Sequence, residues 1–142
     1  MDYKYLTAPC GIDCFNCPGY LAKDNLELRK NLAKRMNIPE EQAFCEGCRV
    51  EEGVIKFIGN IWQCGTYLCA KEKGIHTCAE CGAEFPCDRL HPYADKAAIV
   101  PHNTKIFNLC LIRKMGLEEW AKEKAGKVKM DYYQKKLTVC AP

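Results

Sequence analysis

Twelve cysteines in a chain of 142 residues restrict the possible folds more than any other feature. Sulfur at that density serves either as disulfides or as metal ligands, and the two imply different compartments. The first residues, Met-Asp-Tyr-Lys-Tyr-Leu-Thr-Ala-Pro, hold no apolar run suited to a signal peptide. No window approaches the roughly 18 apolar residues of a membrane span. A cytoplasmic location, away from any membrane, is therefore expected, and disulfides do not persist in a reducing compartment. The spacing points the same way. Cys14 and Cys17, Cys45 and Cys48, and Cys78 and Cys81 are each separated by two residues. On a tight turn, two thiolates at that gap both reach one ion, so metal is the expected role.

Ten of the cysteines lie between residues 10 and 87: Cys10, Cys14, Cys17, Cys45, Cys48, Cys64, Cys69, Cys78, Cys81 and Cys87. All ten are candidate ligands. Zinc is the expected cofactor, because structural zinc favours a tetrahedron of four thiolates or of three with a histidine. Cys14, Cys17, Cys45 and Cys48 make one plausible set. A second draws on Cys64, Cys69, Cys78, Cys81 and Cys87, one too many, and Cys10 is left unassigned. The alternative cofactor is an iron–sulfur cluster. Cys10, Cys14 and Cys17 have the spacing of radical S-adenosylmethionine enzymes, but Asn16 stands where those enzymes carry an aromatic residue. Cys17-Pro18 matches one step of the bacterial ferredoxin run, whose remainder is absent. A redox dithiol is a third reading, weakened by the threefold repetition of the paired turn.

Hydrophobic residues make up 48% of the chain, a share that counts the cysteines, so the apolar core is thin without help from metal. The expected fold is mainly α, a small metal-stabilised single domain spanning residues 1–142. Residues 1–95 form its cysteine-rich part with irregular loops, and residues 96–142 a helical tail packed on them. Asp24 and Glu27 read as a capping box ahead of Leu28, Leu32 and Met36 at a four-residue interval, with Asn37 and Pro39 ending that helix. Pro39 suits the first position of a short helix that delivers Phe44 to the core. Gly47 supplies the bend between Cys45 and Cys48. Val54 to Trp62 reads equally as strand or buried helix. Thr66 is placed to cap a helix ending at Gly74, and Pro86 to start one carrying Cys87, Leu90 and His91. Pro101 and Asn103 open a longer helix with Ile106, Leu109, Cys110 and Ile112 as its buried stripe, closed by Gly116. Another helix, near 117–125, packs through Leu117, Trp120 and Ala121. Residues 127–139 fit helix or strand, with Tyr132, Tyr133, Leu137 and Val139 apolar.

Beyond the thiols the chemistry is sparse. Cys87 and His91 share a helical face, so His91 is a conceivable nitrogen ligand, although enough thiolates already exist. His76 fits a loop and His102 an exposed helix start. Asp13, Glu46, Glu80 and Asp88 flank the cysteines as ordinary acidic loop residues. There is no hydrolase triad pattern, phosphate-binding glycine loop or deaminase motif, so an enzyme is the lesser expectation. Charge divides unevenly, with 9 basic and 4 acidic side chains in residues 101–142 against 12 and 14 before them. The basic C-terminal region suits a protein or nucleic-acid partner, or simply forms a solvated face. An interaction module is the leading expectation, an open zinc site or redox centre the alternative.

These residues also carry a resemblance. Ala8-Pro9-Cys10-Gly11-Ile12-Asp13-Cys14-Phe15-Asn16-Cys17-Pro18 resembles the opening signature of the bacterial and archaeal domain-of-unknown-function family 3795. Cys45-Glu46-Gly47-Cys48-Arg49 is similar to its second block. Cys69 to Ile75, Cys78-Ala79-Glu80-Cys81 and Phe85-Pro86-Cys87-Asp88-Arg89-Leu90 resemble its third, and Gly116-Leu117-Glu118-Glu119-Trp120 its helical tail. The resemblance implies an uncharacterised, cysteine-rich protein taken to bind metal. Members often carry one more cysteine just before the position of Cys64, where this chain has Ile61-Trp62-Gln63.

Overall fold

The computed structural model describes residues 1–59, 61–90 and 104–134. Among them the regular elements are helical, and the only β pairing is one isolated bridge between Thr7 and Asp13. The helices are α1 (Tyr3–Leu6), α2 (Pro18–Leu21), α3 (Leu26–Met36), α4 (Gly65–Glu72), α5 (Thr104–Met115), α6 (Leu117–Glu123) and α7 (Ala125–Gln134). Short 3-10 turns link the first four through the cysteine-bearing loops. The mainly helical expectation holds. No helix among the described residues is long and apolar enough to cross a membrane.

Helix α3 starts one residue later than the capping-box reading. Asn25, not Asp24, is the cap, and its side chain accepts the Leu28 N–H at 3.0 Å. Asn37 ends the helix in the left-handed conformation, which asparagine tolerates better than most residues. Leu32 and Ala33 then pack with Ala22 and Ala43 into a small core of their own, against which Leu28, Ile38 and Phe44 lie. Pro39 sits just before the turn Glu40–Gln42 rather than within it. The stretch after Gly53 is neither strand nor buried helix. It makes a 3-10 turn at Lys56–Ile58, and Ile61 and Trp62 stand 77% and 76% exposed. Phe57 points inward, its ring over Gly19. Thr66 does not cap α4. It lies inside the first turn, buried, with its hydroxyl donating to the Arg89 carbonyl at 3.3 Å.

The main core crosses the boundary near residue 95. Ala8, Cys10, Phe15, Cys78, Ala79 and Leu90 pack with Leu109, Ile112, Trp120, Ala121 and Ala125. Phe15 makes edge contacts with both Tyr3 and Trp120, at centroid distances of 5.0 and 6.0 Å. The buried stripe of α5 is Lys105, Asn108, Leu109 and Ile112, which share one face at intervals of three and four. Cys110 was expected in that stripe but is exposed, because one residue past Leu109 turns about 100° around the axis. Of residues 127–139, undecided from sequence, those up to 134 belong to helix α7, which starts at Ala125. The starting residues Pro101 and Asn103, together with His91, His102, Leu137, Val139 and Cys140, lie outside the described residues.

Gly11 brings α5 against the first cysteine loop. Its φ is +86°, and a Cβ there would lie 2.8 Å from Leu109 Cγ and 2.9 Å from the Lys105 carbonyl oxygen. A backbone oxygen does not swing aside as a side chain does. Gly11→Ala is therefore expected to lower unfolding free energy by about 2 kcal/mol or more. A urea midpoint unchanged from the parent chain would contradict this.

Candidate metal centre

The described candidate sulfurs come from four stretches of chain, and their charges act on one another in two groups, here called basins. Cys10, Cys14, Cys48 and Cys64 belong to the first, with Cys17 acting on Cys14 as well. Each of Cys10 and Cys48 feels the charge of Cys64, and Cys14 and Cys48 both feel Cys10. Local backbone holds the set together. The Cys48 carbonyl accepts the Gly53 N–H at 2.8 Å, and the Gly53 carbonyl accepts the Cys64 N–H at 3.0 Å. Cys17 and Cys45 adjoin the basin through Cys14. Gly47, at φ +97°, folds the Cys45–Cys48 turn so that its own N–H donates to Cys45 Sγ at 3.3 Å. Such N–H···S bonds favour thiolate and shape the turn for a ligand pair.

Cys69, Cys78, Cys81 and Cys87 make the second basin. They line a single cavity of about 380 Å³ with Lys73, Glu84, Asp88 and Arg89. Cys69 comes from α4, and Cys78 and Cys81 bracket the turn Cys78–Glu80. Thr77 and Glu80 cap that turn reciprocally, and the Cys78 N–H donates to the Pro9 carbonyl at 2.8 Å. That bond ties the second basin to the loop of the first. Cys78 feels Cys10 as well as its own three neighbours, so Cys10 stands where the basins meet. Lys73 Nζ lies 3.6 Å from Cys81 Sγ and also pairs with Glu84.

The ten candidate ligands all lie among the described residues as free thiols. Cys64 acts on Cys10 and Cys48, while Cys69, Cys81 and Cys87 act on Cys78. Within the paired-turn set of Cys14, Cys17, Cys45 and Cys48, Cys17 acts on Cys14, both act on Cys45, and Cys14 acts on Cys48. Among the described residues, no group of three or more His, Cys, Asp or Glu side chains is placed so that it could hold a metal ion. The cysteines among them are all free thiols.

Burial is the main force on these sulfurs. It pushes the Cys14, Cys45 and Cys78 thiols up to about 12, reinforced in each case by neighbouring sulfur charge. Cys48 is raised further, and Cys10 is raised with Lys105 opposing. Cys14 is part-exposed as a residue, yet its thiol is enclosed. Without a cation these groups stay protonated near neutrality. The donor set, sulfur throughout, fits a soft or borderline cation such as zinc or an iron–sulfur cluster.

The flanking acids have structural duties. Asp13 is 2% exposed and pairs with Lys129 Nζ at 2.9 Å while accepting from Asn16 at 2.9 Å, which pins α7 onto the first loop. Lys129→Met leaves that carboxylate buried without its cation, at an expected cost of about 3 kcal/mol. Adding Asp13→Asn should recover most of the loss in chemical denaturation, and no recovery would contradict the pairing. Burial alone raises Glu80, but the N–H groups of His76 and Thr77 outweigh it and hold the carboxyl below its usual range. The His76 ring meets the Lys4 carbonyl, and its own carbonyl accepts from Arg49 at 2.6 Å. Sequence reading passed over Lys105, Arg49 and Asn108. Lys105 and Asn108 were legible as i, i+3 and i+4 partners of Leu109 and Ile112. Arg49 had only its place beside Cys48 as a signal.

No curated protein and no solved structure matches the chain. The family model described as "Protein of unknown function (DUF3795)" matches residues 6–92, the stretch that carries both sulfur basins. The chain belongs to that family.

Proposed function

We propose that this is a metal-binding protein in which cysteine thiolates hold structural zinc, and that it serves as an interaction module. The observation that carries the reading is the cavity bordered by Cys69, Cys78, Cys81 and Cys87, one thiol from α4 and three from the loops after it. Four thiolates in a tetrahedron are the commonest structural zinc set. When bound, zinc would act as a cross-link between loops that have little regular structure of their own. The task of the residues here is then to present sulfur. A reducing compartment such as the cytoplasm suits free thiols in this number.

A second reading for the same four cysteines is an iron–sulfur cluster, which four thiolates also hold. Elemental analysis of protein purified without oxygen separates the two. Two zinc atoms per chain are expected, whereas iron with labile sulfide and visible absorbance would favour the cluster. A folded preparation without any metal would overturn both.

The interaction role draws support from the basic C-terminal third, where Lys114, Lys124 and Lys127 are exposed. These charges suit an anionic partner. Binding to such a partner should weaken steeply as salt rises, and salt-independent binding would argue against it.

A further inference from the structure

Lys73 Nζ stands 3.6 Å from Cys81 Sγ and also pairs with the Glu84 carboxylate. All three side chains line the same cavity. Backbone holds the amine and the sulfur in that relation. Lys73 ends α4, its N–H donating to the Cys69 carbonyl at 3.0 Å, and the chain then turns at Gly74, whose φ is +64°. Cys81 closes the capped turn Cys78–Glu80, its own N–H donating to the Cys78 carbonyl at 3.1 Å. The Lys73 side chain is 33% exposed and Cys81 is part-exposed. A small oxidant therefore reaches the sulfur, and an amine is already in contact with it.

We infer that Lys73 and Cys81 form a reversible covalent pair, in which the lysine nitrogen captures the cysteine sulfur once a peroxide has oxidised it. The peroxide converts the thiol to a sulfenic acid and leaves as water. Lys73 Nζ then attacks the sulfur. The S–N bond forms, the S–O bond breaks, and the hydroxyl departs as a second water. Lysine is an ammonium near neutrality, so it sheds two protons in the process. One ends in that second water and the other in solvent. Glu84 is in contact to accept the first of them. A nitrogen that traps a sulfenic acid halts oxidation before the irreversible sulfinic acid. Two equivalents of an added thiol reverse the step, returning thiol and amine and leaving one disulfide of the reductant. The pairing needs only the contact of Lys73 with Cys81, so it does not rest on the metal reading.

Cys69, Cys78 and Cys87 line the same cavity and are the competing partners for an oxidised Cys81. The test separates them. The full chain is treated with hydrogen peroxide, its remaining thiols are alkylated, and its tryptic peptides are weighed by mass spectrometry. Trypsin cuts after a free lysine but not after a substituted one. The expected product is joined at Lys73 and Cys81 and uncut between Lys73 and Gly74. It should weigh about 2 Da less than the same uncut peptide with Cys81 as a thiol, and a thiol reductant should restore cleavage. Lys73→Arg keeps the charge but has no amine that can be freed, so the joined peptide should vanish and Cys81 proceed to sulfinic acid or a disulfide. Glu84→Gln is expected to slow bond formation by about tenfold or more. In denaturing urea, where the contact is lost, none should form. Disulfides of Cys81 in place of the joined peptide overturn the inference, as does a joined peptide that forms equally well in urea. An unchanged rate in Glu84→Gln overturns the part given to its carboxylate.

Discussion

Stripping metal from the folded protein with a strong chelator is expected to unfold residues 1–90, with loss of helical circular dichroism and of slow amide exchange. Each structural zinc site contributes about 10 kcal/mol or more to folding, because an unfolded chain has no preformed site. A domain of this size has only about 5–15 kcal/mol of net stability, so losing even one site is decisive. The structure explains why little else would hold this region. Its buried apolar residues outside the shared core are Ala22, Leu32, Ala33, Ala43, Cys45 and Ala70, mostly small side chains. Burying an alanine or cysteine removes little apolar surface from water, at about 25 cal/mol per Å². The loops that carry Cys10 to Cys17 and Cys78 to Cys87 are 3-10 turns, which have no long hydrogen-bond ladder of their own. Re-addition of zinc should restore the spectrum. A metal-free chain that keeps its full helix signal and its exchange protection would contradict the structural role, and would fit an exchangeable store instead.

Much of this arrangement was readable from residue order, and the remainder was hidden for definite reasons. Helices α3, α5 and α6 follow from apolar residues recurring at three and four, together with terminators such as Asn37 and Gly116. The bend at Gly47 follows from two cysteines that must face one way. What spacing could not reveal is which turns meet. Cys64 lies sixteen residues after Cys48 in sequence, but a ladder of two backbone hydrogen bonds through Gly53 brings it back to the first basin. That return depends on a turn at residues 48–53, for which neither periodicity nor cysteine spacing carries a signal. Cys110 misled for another reason. An apolar-looking cysteine between Leu109 and Ile112 suggests the buried face, whereas Lys105 and Asn108 occupy it. A lysine and an asparagine are seldom placed inside from composition alone, since they are buried only where partners await them. For Asn108 those partners are the Gly11 carbonyl and the Trp120 indole, residues far away in the chain.

Trp120→Ala is the substitution expected to do most damage. Trp120 is 0% exposed and is the largest of the fully buried side chains. Removing it opens a cavity beside Phe15, Leu109 and Ala125 that small neighbours cannot close, at about 3–5 kcal/mol. The indole Nε1 also donates to Asn108 Oδ1 at 3.3 Å, while Asn108 Nδ2 donates to the Gly11 carbonyl at 2.9 Å. The variant therefore leaves a buried amide oxygen without its donor, worth about 1–3 kcal/mol more. That relay runs from α6 through α5 to the turn between Cys10 and Cys14, so damage in the tail should reach the thiols. Trp120→Phe separates the two contributions. It keeps most of the volume but loses the N–H, so its cost should lie well below that of Trp120→Ala. Calorimetry or urea titration of the zinc-loaded proteins reads both. If Trp120→Ala costs less than about 1 kcal/mol, the tail does not pack on the cysteine loops as described, because no fully buried tryptophan in a joint core is lost so cheaply.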